Sequence, residues 1–180
     1  MESPVIDIAL TTAIDLPWTE VSPIRLGPVP RSVGTPDLFA LITLPGGERM
    51  RLDLYRAATS ELYVRDEVIP WHNWIAVGFG YRVFLINSLD REVREIPIPL
   101  YFEAFRASNH YLLILAGEGL VRLDLSGSVV WSNDRLAIDG VEVDAIENGV
   151  IHGRGEWDPP GGWRPFRVQL ETGQLIERAV

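Results

Sequence analysis

Between Leu112 and Trp131 the chain reads LLILAGEGLVRLDLSGSVVW. An apolar run from Leu112 to Ala116 meets a Gly-Glu-Gly turn at Gly117 to Gly119. The next run alternates, with Val121, Leu123 and Leu125 on one face and Arg122, Asp124 and Ser126 on the other. A Ser126-Gly127 turn follows, and a third short run ends on Trp131. Period-two alternation broken by glycine turns predicts an antiparallel meander with one buried face. That face is expected to hold Val121, Leu123, Leu125 and Trp131, and in a later segment Phe166, Val168 and Leu170.

The same grammar extends over most of the chain. LFALITL turns at Pro45-Gly46-Gly47 and returns as ERMRLDLY, in which Met50, Leu52 and Leu54 alternate with Arg49, Arg51 and Asp53. WIAVGFG turns through Gly80-Tyr81 into RVFLINS, and GVEVDAI turns at Glu147-Asn148-Gly149 into VIHGRGEW. Helical signals are confined to Leu54 to Leu62 and to Phe102 to Ala107, and the latter reads equally well as a strand. Near the N-terminus, Val5 to Ile14 reads as a strand. The following segment holds Pro17, Pro23, Pro28, Pro30 and Pro36, which no helix or central strand tolerates. One domain over 1–180 is expected, with residues 1–36 as an N-terminal strand and proline-rich covering segment and residues 37–180 as β-meander repeats.

Turns after alternating strands fall at Gly46-Gly47, Asp90-Arg91, Ser126-Gly127 and Thr172-Gly173, at intervals of roughly 36 to 46 residues, the length of a four-stranded propeller blade. VRLDLSGSVVW and FRVQLETGQLIE match each other best. Together they resemble the repeat of quinoprotein-type β-propellers, in which a strand ends in an acidic-x-x-Thr-Gly turn and the next strand ends in Trp. Leu123-Asp124, Gly127 and Trp131 fit that pattern; Thr172 and Gly173 fit it again, but Glu177 stands where tryptophan would. The resemblance implies blade geometry and no chemistry, because no residue here matches the family's cofactor-binding positions. The fold expected is all-β, an antiparallel meander of three to four propeller-like blades, open or incomplete, with a β-sandwich as the alternative. An arc of so few blades leaves assembly as a homodimer open.

Composition narrows the chemistry more than it defines it. The 180 residues contain no cysteine, so disulfides and thiolate chemistry are excluded. All 16 cationic side chains are arginine, which removes the P-loop lysine, the Schiff-base lysine and the Ser-Lys dyad. A net charge of −9 argues against a nucleic-acid partner. No apolar run is long enough for a membrane span, and the acidic N-terminus lacks the pattern of a signal peptide, so a cytoplasmic location is expected.

The candidate site lies in HGRGEWDPPGGWRPF. On a strand, His152, Arg154 and Glu156 share one face, while Gly153 and Gly155 leave the other bare, as if a backbone or a bulky ring approached there. Trp157, Asp158, Trp163 and Arg164 flank a loop stiffened by Pro159 and Pro160. Aromatic and arginine anchors on a stiff loop suit recognition of a protein or a small polar ligand. A hairpin whose two tryptophans clamp each other explains the same residues. Trp71-His72-Asn73-Trp74 reads as core packing around a turn. His72, His110 and His152 lack metal-ligand spacing, and Asp139, Glu142, Asp144 and Glu147 read as the solvated face of a strand rather than a calcium loop. No cofactor and no catalytic residue is assigned. The function expected is a non-catalytic scaffold or binding protein; the alternatives are a hydrolase or lyase working through Asp, Glu and His, and an acidic inhibitor or immunity-type protein.

Overall fold

Within the described residues, alternating runs separated by tight turns fold into sixteen strands arranged in four separate four-stranded sheets. The computed structural model describes residues 6–30, 34–57, 65–158 and 161–178. Pro159, Pro160 and most of the helix candidate at Leu54 to Leu62 lie outside them. The first sheet holds β1 (Asp7–Thr11), β2 (Pro23–Leu26), β3 (Leu38–Thr43) and β4 (Arg49–Leu54), in the order β1-β3-β4-β2. The second runs through β5 (Asp66–Trp71), β6 (Trp74–Phe79), β7 (Arg82–Asn87) and β8 (Val93–Ile96) as a simple meander. The third, β9 (Phe102–Ala107), β10 (Leu112–Ala116), β11 (Gly119–Leu123) and β12 (Val129–Asn133), repeats that order, as does the fourth, β13 (Val141–Glu147), β14 (Val150–Glu156), β15 (Trp163–Gln169) and β16 (Leu175–Arg178). The fold is all-β and propeller-like. Phe102 to Ala107 is a strand, because its buried Phe102, Ala104 and Phe105 pack against neighbouring sheets.

The sheets stack face to face through three apolar cores. Ile42, Leu52 and Leu54 of the first sheet meet Ile75, Val77 and Phe79 of the second. Trp74, Val83 and Leu85 of the second meet Phe102, Leu112 and Ile114 of the third. Leu113, Leu115 and Trp131 of the third meet Ile151, Phe166 and Val168 of the fourth. Among the described residues no fourth core joins the last sheet to the first.

This stacking corrects the expectation of a single buried face. A middle sheet has a neighbour on each side, so β10 and β11 are buried along their whole length. Arg122, expected on the solvated face, is buried; it pairs with Glu171 at 3.0 Å and lies over the Tyr111 ring. Leu125 departs in the other direction and is 47% exposed, whereas Val121, Leu123, Trp131, Phe166, Val168 and Leu170 are buried as expected. The strand ends at Leu123 because Asp124 Oδ1 accepts the Ser126 and Ser128 N–H groups, at 2.9 and 3.1 Å, and folds the chain over at Leu125.

The turns also join the blades. Trp74 donates its indole N–H to the Leu125 carbonyl at 3.2 Å, and Trp131 donates to Leu170 at 2.8 Å. Each ring lies against the glycine of the next sheet's turn, Gly127 and Gly173 respectively; both glycines have positive φ, and a Cβ on Gly173 would come within 2.5 Å of the ring. At the first sheet, β2 pairs parallel to β4, an edge position that its proline permits. The Trp18 carbonyl and ring lie by Arg51 and Arg49 on the side of that sheet away from the second.

Candidate functional site

Strands β1, β5, β9 and β13 each form an edge of their sheet, and carboxylates stitch the last three of them. Glu67 of β5 accepts the Phe105 N–H at 2.9 Å, and Glu103 of β9 accepts the Val141 N–H at 3.0 Å. Beside the second stitch, the Gly140 N–H donates to the Gly117 carbonyl at 2.6 Å. Two rings rest on those two glycines. A Cβ on Gly117 would lie 2.8 Å from the Tyr101 ring, and one on Gly140 would lie 3.2 Å from the Trp163 ring. Tyr101 donates its hydroxyl to Asp139 Oδ1 at 2.9 Å. The Gly80 carbonyl accepts the Phe102 N–H and so fixes Tyr81 next to Tyr101, with ring centroids 6.1 Å apart at 85°.

These contacts border a cleft of about 650 Å³ where the second, third and fourth sheets meet. Tyr81, Tyr101, Phe102 and Trp163 supply its rings; Glu103, Asp139, Glu142 and Asp144 its carboxylates; Arg65 and Arg106 its cations. Burial raises the Glu103 carboxyl above its ordinary range, and Glu142 and Asp139 add to the effect, against the Val141 hydrogen bond and Arg65. Burial likewise raises Tyr101, assisted by its hydrogen bond to Asp139 and by the charges of Glu103, Asp139 and Glu156. The phenol therefore stays protonated, a hydrogen-bond donor rather than a nucleophile.

The residues expected to form a site are divided by this geometry. Trp163, 38% exposed, lines the cleft. Arg154 stands at its margin, pairing with Glu142 at 2.8 Å and Asp144 at 3.5 Å. Glu156 accepts the Gly161 N–H at 2.9 Å and closes the hairpin loop, which is also held by Trp157 N–H to the Gly162 carbonyl. His152 lies mid-sheet opposite Arg167; Asp158 and Arg164 are exposed, and Trp157 is half-buried. None of these four lines the cleft. The bare face of β14 is real. A side chain on Gly155 would overlap the Leu136 carbonyl, and one on Gly153 would lie 2.6 Å from the Phe166 ring.

Sequence reasoning missed Tyr81, Tyr101, Glu103 and Asp139, which are dispersed over 59 positions (81 to 139) and meet only when the sheets stack. Glu67 and Glu103 stand 36 residues apart, the blade interval, and that was the available signal. Trp71 and Trp74 are core residues, 3% and 4% exposed, around the His72-Asn73 turn. Among the described residues no group of three or more His, Asp or Glu is placed to hold a metal ion. Nor is any helix among them long and apolar enough to cross a membrane.

No family model matches the chain, and no curated protein matches it. Among solved structures it is similar to dihydro-heme d1 dehydrogenase NirN in complex with DHE, at 16% identity and a TM-score of 0.38. The match covers 79% of this chain and 35% of that one, so the chain spans about a third of that protein's length.

Proposed function

We propose that the protein is a non-catalytic binding module that takes a small polar ligand, or a polar segment of a protein partner, in the cleft where its second, third and fourth sheets meet. The observation that carries this reading is the exposure of Tyr81 and Trp163, 42% and 38%, at the wall of one cavity that also gathers carboxylates and arginines. Large aromatic surface left in water beside convergent polar groups is how recognition sites are built. The hairpin carrying Trp157, Asp158 and Arg164 forms the adjoining rim, available to a larger partner. We also read the blades as quinoprotein-type, since Trp131 over Gly173 and Trp74 over Gly127 repeat one way of joining blades.

A second reading draws on Glu103, a carboxyl that burial holds toward its neutral form, as the proton donor of a hydrolase. Its Oε2 already accepts the Val141 N–H, which supplies a structural reason for its position. Calorimetric titration with sugars, organic cations, carboxylates and short peptides, alongside a hydrolase screen, separates the two. Saturable binding is expected, weakened at least about tenfold, about 1.4 kcal/mol, by Trp163→Ala with no loss of fold. Turnover abolished by Glu103→Gln would establish the hydrolase instead.

A further inference from the structure

We infer that the cleft is shaped for an organic cation, a guanidinium or quaternary ammonium group, seated in the corner made by Tyr81, Tyr101 and Trp163. This rests on the binding-module reading and names its ligand class. The two tyrosines stand at 85° with centroids 6.1 Å apart, so their faces are perpendicular and make no single flat platform. A sugar ring stacks on a flat surface, whereas a compact cation gains from several ring faces at once, because each face carries the negative end of the aromatic quadrupole. Trp163 joins through the backbone: its ring rests on Gly140, Tyr101 rests on Gly117, and Gly140 donates its N–H to Gly117.

The charge around the corner has the matching sign. Asp139 is hydrogen-bonded to the Tyr101 hydroxyl, and Glu103 lies within 3.4 Å of the position a Gly140 Cβ would take. Beyond burial and the Asp139 hydrogen bond, the charges of Glu103, Asp139 and Glu156 each oppose ionisation of Tyr101. Of the cations lining the cleft, Arg65 offsets Glu103 and Arg106 donates to the Phe105 carbonyl at 3.3 Å; Arg154, at the margin, is engaged by Glu142 and Asp144. An anionic ligand would meet ring faces and carboxylates together and be repelled.

The test is a titration of the intact protein with choline, with N-acetyl-arginine amide, and with glucose and glutamate as neutral and anionic controls. Binding is read by calorimetry and by the indole N–H resonance of Trp163, assigned by its loss in Trp163→Phe. The expected result is saturable movement of that resonance by one or both cations, affinity lowered at least tenfold in Asp139→Asn and in Tyr81→Leu, and weakening with added salt. Choline alone identifies a quaternary ammonium site; the arginine amide alone identifies a guanidinium site. Tyr81 is 42% exposed, so Tyr81→Leu keeps its fold, and circular dichroism checks this. Glucose or glutamate binding in place of both cations overturns the cation inference and leaves the binding module standing. Failure of all four probes to move Trp163 overturns the cation inference, while the wider ligand panel still decides the binding module.

Discussion

The indole of Trp131 lies over Gly173 and donates to the Leu170 carbonyl from a position 8% exposed, while that of Trp163 lies over Gly140 with 38% of its surface in water. One residue type thus serves the core and the cleft. Trp131→Ala is expected to cost about 3–5 kcal/mol by urea denaturation, since a large ring and a buried hydrogen bond are lost together. Ionisable residues divide in the same way. Burial raises Glu103, so its contribution to stability is fully present below its unfolded value and is lost as pH rises through its folded one. Glu103→Gln should therefore stabilise the protein at neutral pH, with the advantage over wild type vanishing toward pH ~4, where the unfolded carboxyl takes up its proton. Unchanged melting temperatures across that range would refute the burial argument. Asp124 carries the opposite sign. The Ser126 hydroxyl and the Ser126 and Ser128 N–H groups hold its carboxyl below the ordinary range, so its support of the turn is lost as pH falls.

At the scale of the element, β14 was legible in advance and the loop after it only in part. The sequence HGRGE placed His152, Arg154 and Glu156 on one face and two glycines on the other, because the strand period is two whatever the fold. What approaches those glycines belongs to other segments: the Leu136 carbonyl at Gly155, and the Phe166 ring at Gly153. Gly155→Ala should destabilise by about 1–3 kcal/mol, because the obstacle is backbone and has nowhere to move. Gly46, with open space around its Cβ position, would lose only the strain of its φ of +99°. A comparison of urea midpoints for the two alanine variants checks the difference, and equal effects would mean that the fourth sheet yields.

At the scale of the molecule, the described residues form a row of four sheets held by three cores, so cohesion within that row is greatest in the middle and least at the ends. In such an array stability is close to a sum over neighbours, and terminal units open first. Native-state amide exchange should show the strongest protection in β6, β7, β10 and β11. The weakest should fall in β1, whose residues are mostly exposed, and in β16 at the outer edge of the fourth sheet. Uniform protection through all four sheets would indicate a single cooperative core instead. The outer face of the fourth sheet, with Arg154, Arg167 and Gln169 exposed, is polar.

Period, turns and repeat length are local properties of the chain, and they sufficed for an all-β, blade-like fold, for the Ser126-Gly127 and Thr172-Gly173 turns, and for the bare face of β14. Burial of Arg122, exposure of Leu125 and the parallel pairing of β2 depend on what lies across from each residue, which alternation does not encode. The cleft belongs to the same class. Tyr81, Tyr101, Asp139 and Trp163 come from three different sheets and their connections, and only the stacking of one sheet on the next closes the distance between them.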